Sequence, residues 1–257
     1  MIKSLVSFNK KYKHMGFSLI EAAIALVVIG VISMATLQVY NSANYYKNQT
    51  LANKWLLETQ ENLVQFAQMN YRLPCPDTDL DGYENCGGSV KTGLLPFYTL
   101  GLTVSSQIGS VTSGHQNIIY GVYRNAGIDA DLTVLAERTG NSIGDANYQT
   151  IDDFKKALSN ASLVTTVVNS QPYITGDDET TGAENCATNL VAHGAFWLAS
   201  SSGQDANEDD NPFDGVNTNL RNDGSGSNCF SAPTKRQNAG YVDRVSGLAF
   251  SELLGLL

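Results

Sequence analysis

Alternating aspartates between two cysteines could bind a metal ion. Residues 77–82 read Asp-Thr-Asp-Leu-Asp-Gly, which places carboxylates at Asp77, Asp79 and Asp81 directly before a glycine. Calcium prefers oxygen ligands, and an EF-hand loop opens with such ligands at alternate positions and a glycine for the turn. The twelfth position of such a loop is Gly88 here and not glutamate, so the match is incomplete. Two interpretations stay open, a calcium site and an acidic solvated turn.

A second acidic segment covers residues 205–215, where five of eleven residues are acids. Their charges repel one another unless solvent screens them or a cation bridges them. Calcium held by Asp205, Asp209 and Asp214 would relieve the repulsion, but a solvated charge run is the favoured interpretation. A basic patch on another protein is an equally acceptable partner. No cofactor is required, and calcium is the only one that the sequence suggests.

One pattern suggests a nucleophile. Residues 140–144 fit G-x-S-x-G, which in hydrolases places a serine on a sharp turn between a strand and a helix. Ser142 would be the nucleophile, with His193 as its base. Polar turn sequence follows the motif instead of a helix of small residues, so a Gly/Asn turn is the favoured interpretation and an enzyme is not expected.

Four cysteines follow the first seventy residues, at Cys75, Cys86, Cys186 and Cys229. An exported segment in an oxidising compartment would form disulfides. Three pairings are open, and Cys75 with Cys86 and Cys186 with Cys229 is favoured because each pair flanks loop-like sequence. Zinc is disfavoured, since no CxxC pair or suitably spaced histidine is present.

The N-terminal region predicts that the acidic segments and the cysteines lie on the outer side of a membrane. Residues 17–39 are apolar with Glu21 as their only charge, and a helix of this length is about 34 Å long, enough to cross a bilayer. Four lysines precede the run without any acid, which predicts a cytoplasmic N-terminus. A signal peptide cleaved after residues 33–35, or a simple signal anchor, would share this order. Glu21 fits neither well, because an acid within a membrane segment usually has a functional partner.

The residues around position 17 are similar to a known family. Residues 13–16, Lys-His-Met-Gly, precede residues 17–21, Phe-Ser-Leu-Ile-Glu, and this arrangement resembles type IV prepilins and type II secretion pseudopilins. The resemblance covers about residues 10–40. It implies cleavage between Gly16 and Phe17 by a membrane prepilin peptidase, followed by methylation of the new Phe17 amine. It also implies that Glu21 of one subunit neutralises the Phe17 amine of its neighbour in a filament.

The resemblance also implies a fold. An α+β, type IV pilin-like subunit would have one long N-terminal helix packed on a β-rich head that disulfides brace. Residues 41–71 lack proline and glycine and repeat apolar residues at helical spacing, with Trp55 and Phe66 expected in the core, and Pro74 and Pro76 end the helix. The expected divisions are a cleaved leader (1–16), a membrane or filament-core helix (17–39), the soluble half of that helix (40–72) and a head with acidic loops (73–257).

Shorter patterns suggest the elements of the head. Residues 101–104, 118–124 and 194–199 favour strands, and residues 241–257 a final strand or helix. Thr150 with an acid three residues later is typical of a helix N-terminus.

Charge limits the classes of partner. The chain has a net charge of −9, and because four of its 16 basic residues precede residue 17, the rest carries −13. Such a body repels nucleic-acid backbones, so no direct nucleic acid binding is expected.

Taken with the resemblance, these features predict a minor pilin or pseudopilin that assembles with other such subunits after processing by the peptidase and methyltransferase. It would cross the inner membrane once, with its head in the periplasm, and then join a filament in the periplasm or at the cell surface. The alternatives are a signal-anchored periplasmic adhesin or ligand-binding module, and a serine hydrolase using Ser142 and His193.

Overall fold

The computed structural model describes residues 18–103, 117–124, 127–164, 166–177, 183–201, 211–220, 226–238 and 240–257. Within them the fold is α+β, with a long N-terminal helix and a sheet-rich head that contains two disulfides. The chain divides into two compact units, of which the first ends at Tyr46 and the second runs over Lys47–Leu257.

Helix α1 spans Leu19–Asn70 without interruption. It ends at Tyr71, which adopts the left-handed conformation with φ of 53° and donates its N–H to the carbonyl of Ala67 at 2.9 Å. Pro74 and Pro76 follow and exclude further helix, as the sequence predicts.

The second half of α1 contributes one face to the core of the head. Trp55 and Phe66 are buried, which confirms their expected place in the core. The buried positions recur every three or four residues, the spacing of a single helix face. They are Gln49, Ala52, Trp55, Leu56, Thr59, Leu63, Phe66 and Ala67.

Two sheets form the head. The main sheet is antiparallel with the strand order β1, β2, β5, β7, where the strands are Thr92–Leu94, Ile119–Val122, Phe196–Ser200 and Arg244–Leu248. The smaller sheet has the order β4, β3, β6, where the strands are Leu190–His193, Tyr173–Thr175 and Cys229–Phe230, and β3 and β6 are parallel.

Strand β5 is buried on both faces, which explains the apolar run over residues 196–199. Phe196 and Leu198 join the core cluster that includes the α1 face, whereas Trp197 and Ala199 join a second cluster on the opposite face. The neighbouring strand has a glycine where Phe230 crosses it, and a Cβ on Gly121 would lie 2.8 Å from that ring.

Two short helices complete the described fold, α2 at Ile151–Ser162 and α3 at Phe250–Leu256. Asp153 is buried and accepts hydrogen bonds from the N–H and hydroxyl of Thr150 at 2.8 and 2.9 Å, which confirms the predicted start of α2. The same carboxylate also accepts the N–H groups of Arg138 and Thr139 and the Thr139 hydroxyl. One acid therefore caps α2 and fixes the preceding loop.

Some of the expected strands differ. The described part of residues 101–104 is not a strand, because Gly101 has a φ of 72° and closes a turn in which Leu102 donates to the carbonyl of Phe97. Residues 118–124 and 194–199 do contain strands, β2 and β5, and residues 241–257 form both β7 and α3.

We expect Asp153→Ala to lower the free energy of unfolding by about 2–4 kcal/mol, because it leaves several buried donors without an acceptor. Burial raises the pKa of Asp153, but the N–H groups of Arg138 and Thr150 and the hydroxyls of Thr139 and Thr150 outweigh burial and hold this pKa well below its ordinary value of 3.8. The stabilisation is therefore present above about pH 4 and is lost as the pH falls further.

The measurement is denaturant unfolding of the full chain in detergent at pH 7 and pH 3, with Asp152→Asn, an exposed neighbour, as the control. If the free energy of unfolding changed with pH to the same extent in the wild-type protein and in the Asp153→Asn variant, the assignment would be contradicted.

Candidate functional site

The first half of α1 presents an exposed apolar surface. The large apolar side chains of residues 19–39 are between 49% and 90% exposed, and the first buried residue of the helix is Gln49. Within the described residues, α1 is the helix long and apolar enough to cross a membrane, consistent with a single-pass anchor. An exposed apolar surface of this size is typical of a segment that contacts lipid or other protein.

Glu21 is the single charge on this surface. It lies in the first turn of α1, is exposed, and accepts a long hydrogen bond of 3.4 Å from the N–H of Ser18. The expected cleavage and methylation positions, Gly16 and Phe17, lie outside the described residues. An acid within an apolar segment of this kind usually has a functional partner.

The three aspartates of the first acidic loop do come together. One oxygen from each of Asp77, Asp79 and Asp81 lies within 4.8 Å of the others. Asp77 is fully buried, and its two oxygens accept the N–H groups of Asp79, Leu80 and Gly82 at 2.8 to 3.1 Å. Burial raises the pKa of Asp77 and neighbouring Asp79 adds to this, whereas the three N–H groups lower it. Asp77 thus organises the loop from inside.

The ends of this loop are held by a disulfide and an ion pair. Cys75–Cys86 and Cys186–Cys229 are the two disulfides, so the favoured pairing is confirmed and these sulfurs do not bind zinc. Glu84 accepts two hydrogen bonds from the Arg72 guanidinium at 2.5 and 2.6 Å, and a third from the N–H of Cys75.

The calcium interpretation has only part of its ligand set. Calcium takes six to eight oxygens, and Gly88 supplies no carboxylate at the closing position. The Asp77 oxygens already bind backbone N–H groups, Asp81 accepts the N–H of Tyr83 and Asp79 accepts the Asn85 amide. The described loop therefore favours the acidic turn.

The second acidic segment has a different outcome. Asp205 and Asp209 lie outside the described residues, so a calcium site shared with Asp214 stays a prediction. Asp214 itself is fully buried, which differs from a solvated charge run. Its carboxylate accepts the N–H of Val242 at 2.9 Å, and its own N–H donates to Asp243 at 2.8 Å. These two bonds join the loop to the start of β7.

Asp243 is a functional candidate that the sequence did not reveal, since no motif surrounds it. It is 2% exposed, and one oxygen accepts hydrogen bonds from Asp214 and Asn217 while Oδ1 has no partner in the part of the chain that is described. Burial raises the pKa of Asp243 to about 8, and the charge of Asp214 adds to this, although the N–H of Asp214, the Asn217 amide and Lys235 lower it. The buried site therefore favours the protonated carboxyl far more than water does.

Other ionisable groups lie around Asp214 and Asp243. Glu184 accepts hydrogen bonds from Ser231 and Lys235, and the Lys235 ammonium also lies 3.8 Å from the centre of the Tyr241 ring. Burial raises the pKa of Tyr241 well above its ordinary value, so this phenol stays neutral. The cluster ties three separate loops together around the buried Asp243.

Ser142 and His193 each have other hydrogen-bond partners in the structure. The Ser142 N–H donates to Glu137 in a turn that no described strand precedes, so the strand-to-helix elbow is absent there. Nδ1 of His193 donates to the carbonyl of Pro172 at 2.9 Å, and its Nε2 accepts the N–H of Val168 at 3.0 Å. Neither ring nitrogen is therefore free to accept a proton from Ser142.

Comparison with known proteins adds no relative: no family model, no curated protein and no solved structure matches this chain.

For the first acidic loop we expect the melting temperature of the full chain to be the same in excess calcium chloride and in EGTA, within about 1 °C. A site filled at a hundred times its Kd would add about 2.7 kcal/mol of stability, which such a comparison detects readily. A melting temperature that is higher in calcium chloride than in EGTA, with the difference abolished by Asp79→Asn/Asp81→Asn, would contradict this expectation.

For the buried pair Asp214 and Asp243, we expect stability to fall from pH 6 to pH 9 in the wild-type protein and to fall less in the Asp243→Asn variant. Because the folded pKa lies above the ordinary value of 3.8, the contribution of Asp243 to stability is full below about pH 4 and is lost as the pH rises through about 8. Thermal melts of wild type, Asp243→Asn and the exposed control Asp152→Asn at both pH values test this. A wild-type pH profile in the Asp243→Asn variant would exclude the assignment.

Proposed function

We propose that this chain is a structural subunit of a pilin-like filament, either a minor pilin or a pseudopilin. The observation that carries the proposal is the single continuous helix α1, whose first half is apolar and exposed while its second half lies in the core of a disulfide-braced head. A helix of this kind can rest in a bilayer before assembly and pack against copies of itself afterwards. The sequence around Gly16, Phe17 and Glu21 supports the same conclusion.

Glu21 gives assembly its register in this proposal. Cleavage after Gly16 creates an α-amine on Phe17, and such an amine is largely cationic at neutral pH. When helices stack side by side, the Glu21 carboxylate of one subunit neutralises the amine of the next. An unpaired charge in an apolar helix bundle is costly, so the stagger that forms this pair is preferred over others.

The remaining parts of the proposal follow from this arrangement. The processing enzyme is a prepilin peptidase that also methylates Phe17, and the partners are other pilin or pseudopilin subunits. Before assembly the protein crosses the inner membrane once, with Gly16 on the cytoplasmic side and the head in the periplasm, where the two disulfides form. The role is structural and not enzymatic.

The first test concerns processing. In cells that contain the peptidase, intact-mass analysis should find a mature chain that begins with methylated Phe17. A mature chain that begins near Thr36 would show that residues 17–35 are a signal peptide and would exclude filament assembly.

The second test concerns register. We expect Glu21→Ala to be cleaved normally but to enter sheared filaments at a level at least about tenfold lower, a loss of roughly 1.4 kcal/mol or more per contact. Glu61→Ala, which removes an exposed acid from the soluble half of α1, is the matched control. Normal incorporation of the Glu21→Ala variant would show that the register argument is wrong, and a processed chain that never enters filaments would favour the anchored adhesin.

A further inference from the structure

Three large apolar side chains on the first acidic loop and the turn beside it are exposed. Leu80, Tyr83 and Tyr98 are 57%, 56% and 44% exposed, and the two tyrosine rings lie 5.4 Å apart with an angle of 37° between their planes. We call these three residues the tyrosine platform. Exposed tyrosines supply contact area with little loss of side-chain freedom on binding, which is why they are frequent in binding surfaces.

The backbone holds the platform in one conformation. Gly82 has a φ of 83°, and a Cβ at this position would lie 2.6 Å from the rings of Phe97 and Tyr98, so these rings lie directly on the loop. The N–H of Tyr98 also donates to the carbonyl of Gly82 at 2.8 Å. Together with the Cys75–Cys86 disulfide, these contacts fix the loop before any partner arrives, which lowers the entropy cost of binding.

Leu80 is held outward at a cost in energy. Its φ of 69° is in the left-handed region, which costs a residue other than glycine about 1–2 kcal/mol. The carboxylate of Asp77 fixes this conformation by accepting the Leu80 N–H at 2.8 Å. The loop therefore places an apolar side chain in solvent, where folding alone gains nothing from it.

The loop that carries Leu80 and Tyr83 also carries two exposed acids. Asp79 and Asp81 are exposed on either side of Leu80. Nearby basic groups are engaged elsewhere, since Arg72 pairs with Glu84 and Arg124 donates to backbone carbonyls of the same region. A ligand for this surface must therefore combine an apolar or planar body with positive charge.

We propose that the tyrosine platform, with Asp79 and Asp81, binds a basic, arginine-containing segment of a partner protein. A guanidinium can stack on a tyrosine ring and bind a carboxylate through two hydrogen bonds, whereas an ammonium offers only a compact charge. This surface is distinct from the first half of α1, so the interaction goes beyond filament assembly and does not depend on it.

The test uses the full chain in a neutral detergent and fluorescent peptides of six arginines, six lysines or six serines. We expect hexaarginine to bind more tightly than hexalysine and hexaserine not to bind. Tyr83→Ser/Tyr98→Ser should lower the affinity for hexaarginine at least about tenfold. Asp79→Asn/Asp81→Asn should lower the affinity for both basic peptides. Tyr148→Ser, an equally exposed tyrosine elsewhere, should change the affinity less than twofold and is the matched control.

Thermal melts check that each variant is folded, and all the substituted side chains are exposed. Equal affinity for the two basic peptides would overturn the proposal and show general attraction to an acidic protein. The same conclusion would follow if Tyr148→Ser lowered the affinity for hexaarginine as much as Tyr83→Ser/Tyr98→Ser does. Calcium that displaces hexaarginine and requires Asp79 and Asp81 would also overturn it and assign this loop to a metal. Failure of filament assembly in the Glu21→Ala test leaves the peptide measurement unaffected, so the two proposals can fail separately.

Discussion

Contact between the buried face of α1 and the main sheet is the constraint on which the head depends. Trp55 and Leu63 lie in the same core cluster as Tyr120, Phe196 and Leu198 of the two inner strands. The opposite face of that sheet is covered by a second cluster containing Phe230 of the small sheet. The head is therefore layered, with helix, sheet and small sheet in turn, and this explains why β5 has no polar face. Loss of the helix face would therefore remove a large part of the cover on that side of the sheet, which α2 and α3 also share through Leu158 and Leu253.

Charged residues in this head mainly brace loops. Arg138 donates to the carbonyls of Ile128, Asp131, Val134 and Ala136. Arg124 and Asp153 play the same part in their own regions, one as a donor to carbonyls and the other as an acceptor of N–H groups. Irregular backbone can be buried only if its polar groups find partners. A chain with 16% charged residues uses several of them for this purpose and not for surface ion pairs.

Local features of the sequence were predictable, and long-range ones were not. The end of α1, the start of α2 and the disulfide pairing follow from prolines, a capping pattern and cysteine spacing, which act over a few residues or through simple chain geometry. The burial of Asp214 depends on Val242 and Asp243, which are distant in sequence, and local acidity predicts the opposite. The described part of residues 101–104 is an exception among the local features, because a turn around Gly101 outweighs the apolar pattern that predicts a strand. The tyrosine platform combines residues from a loop and a later turn, which no single motif joins.

The order of the strands also affects how this protein is made. Synthesis proceeds from the N-terminus, so the apolar face of α1 exists long before β5 and β7, which come from the last quarter of the chain. The central pairing of β5 with β2 and β7 must therefore wait until nearly all of the polypeptide has emerged. During that interval Trp55 and Leu63 have no sheet to cover them. A newly made chain thus passes through a stage in which this apolar face is exposed, and a chain truncated before β7 would remain in that stage as a target for chaperones or proteases.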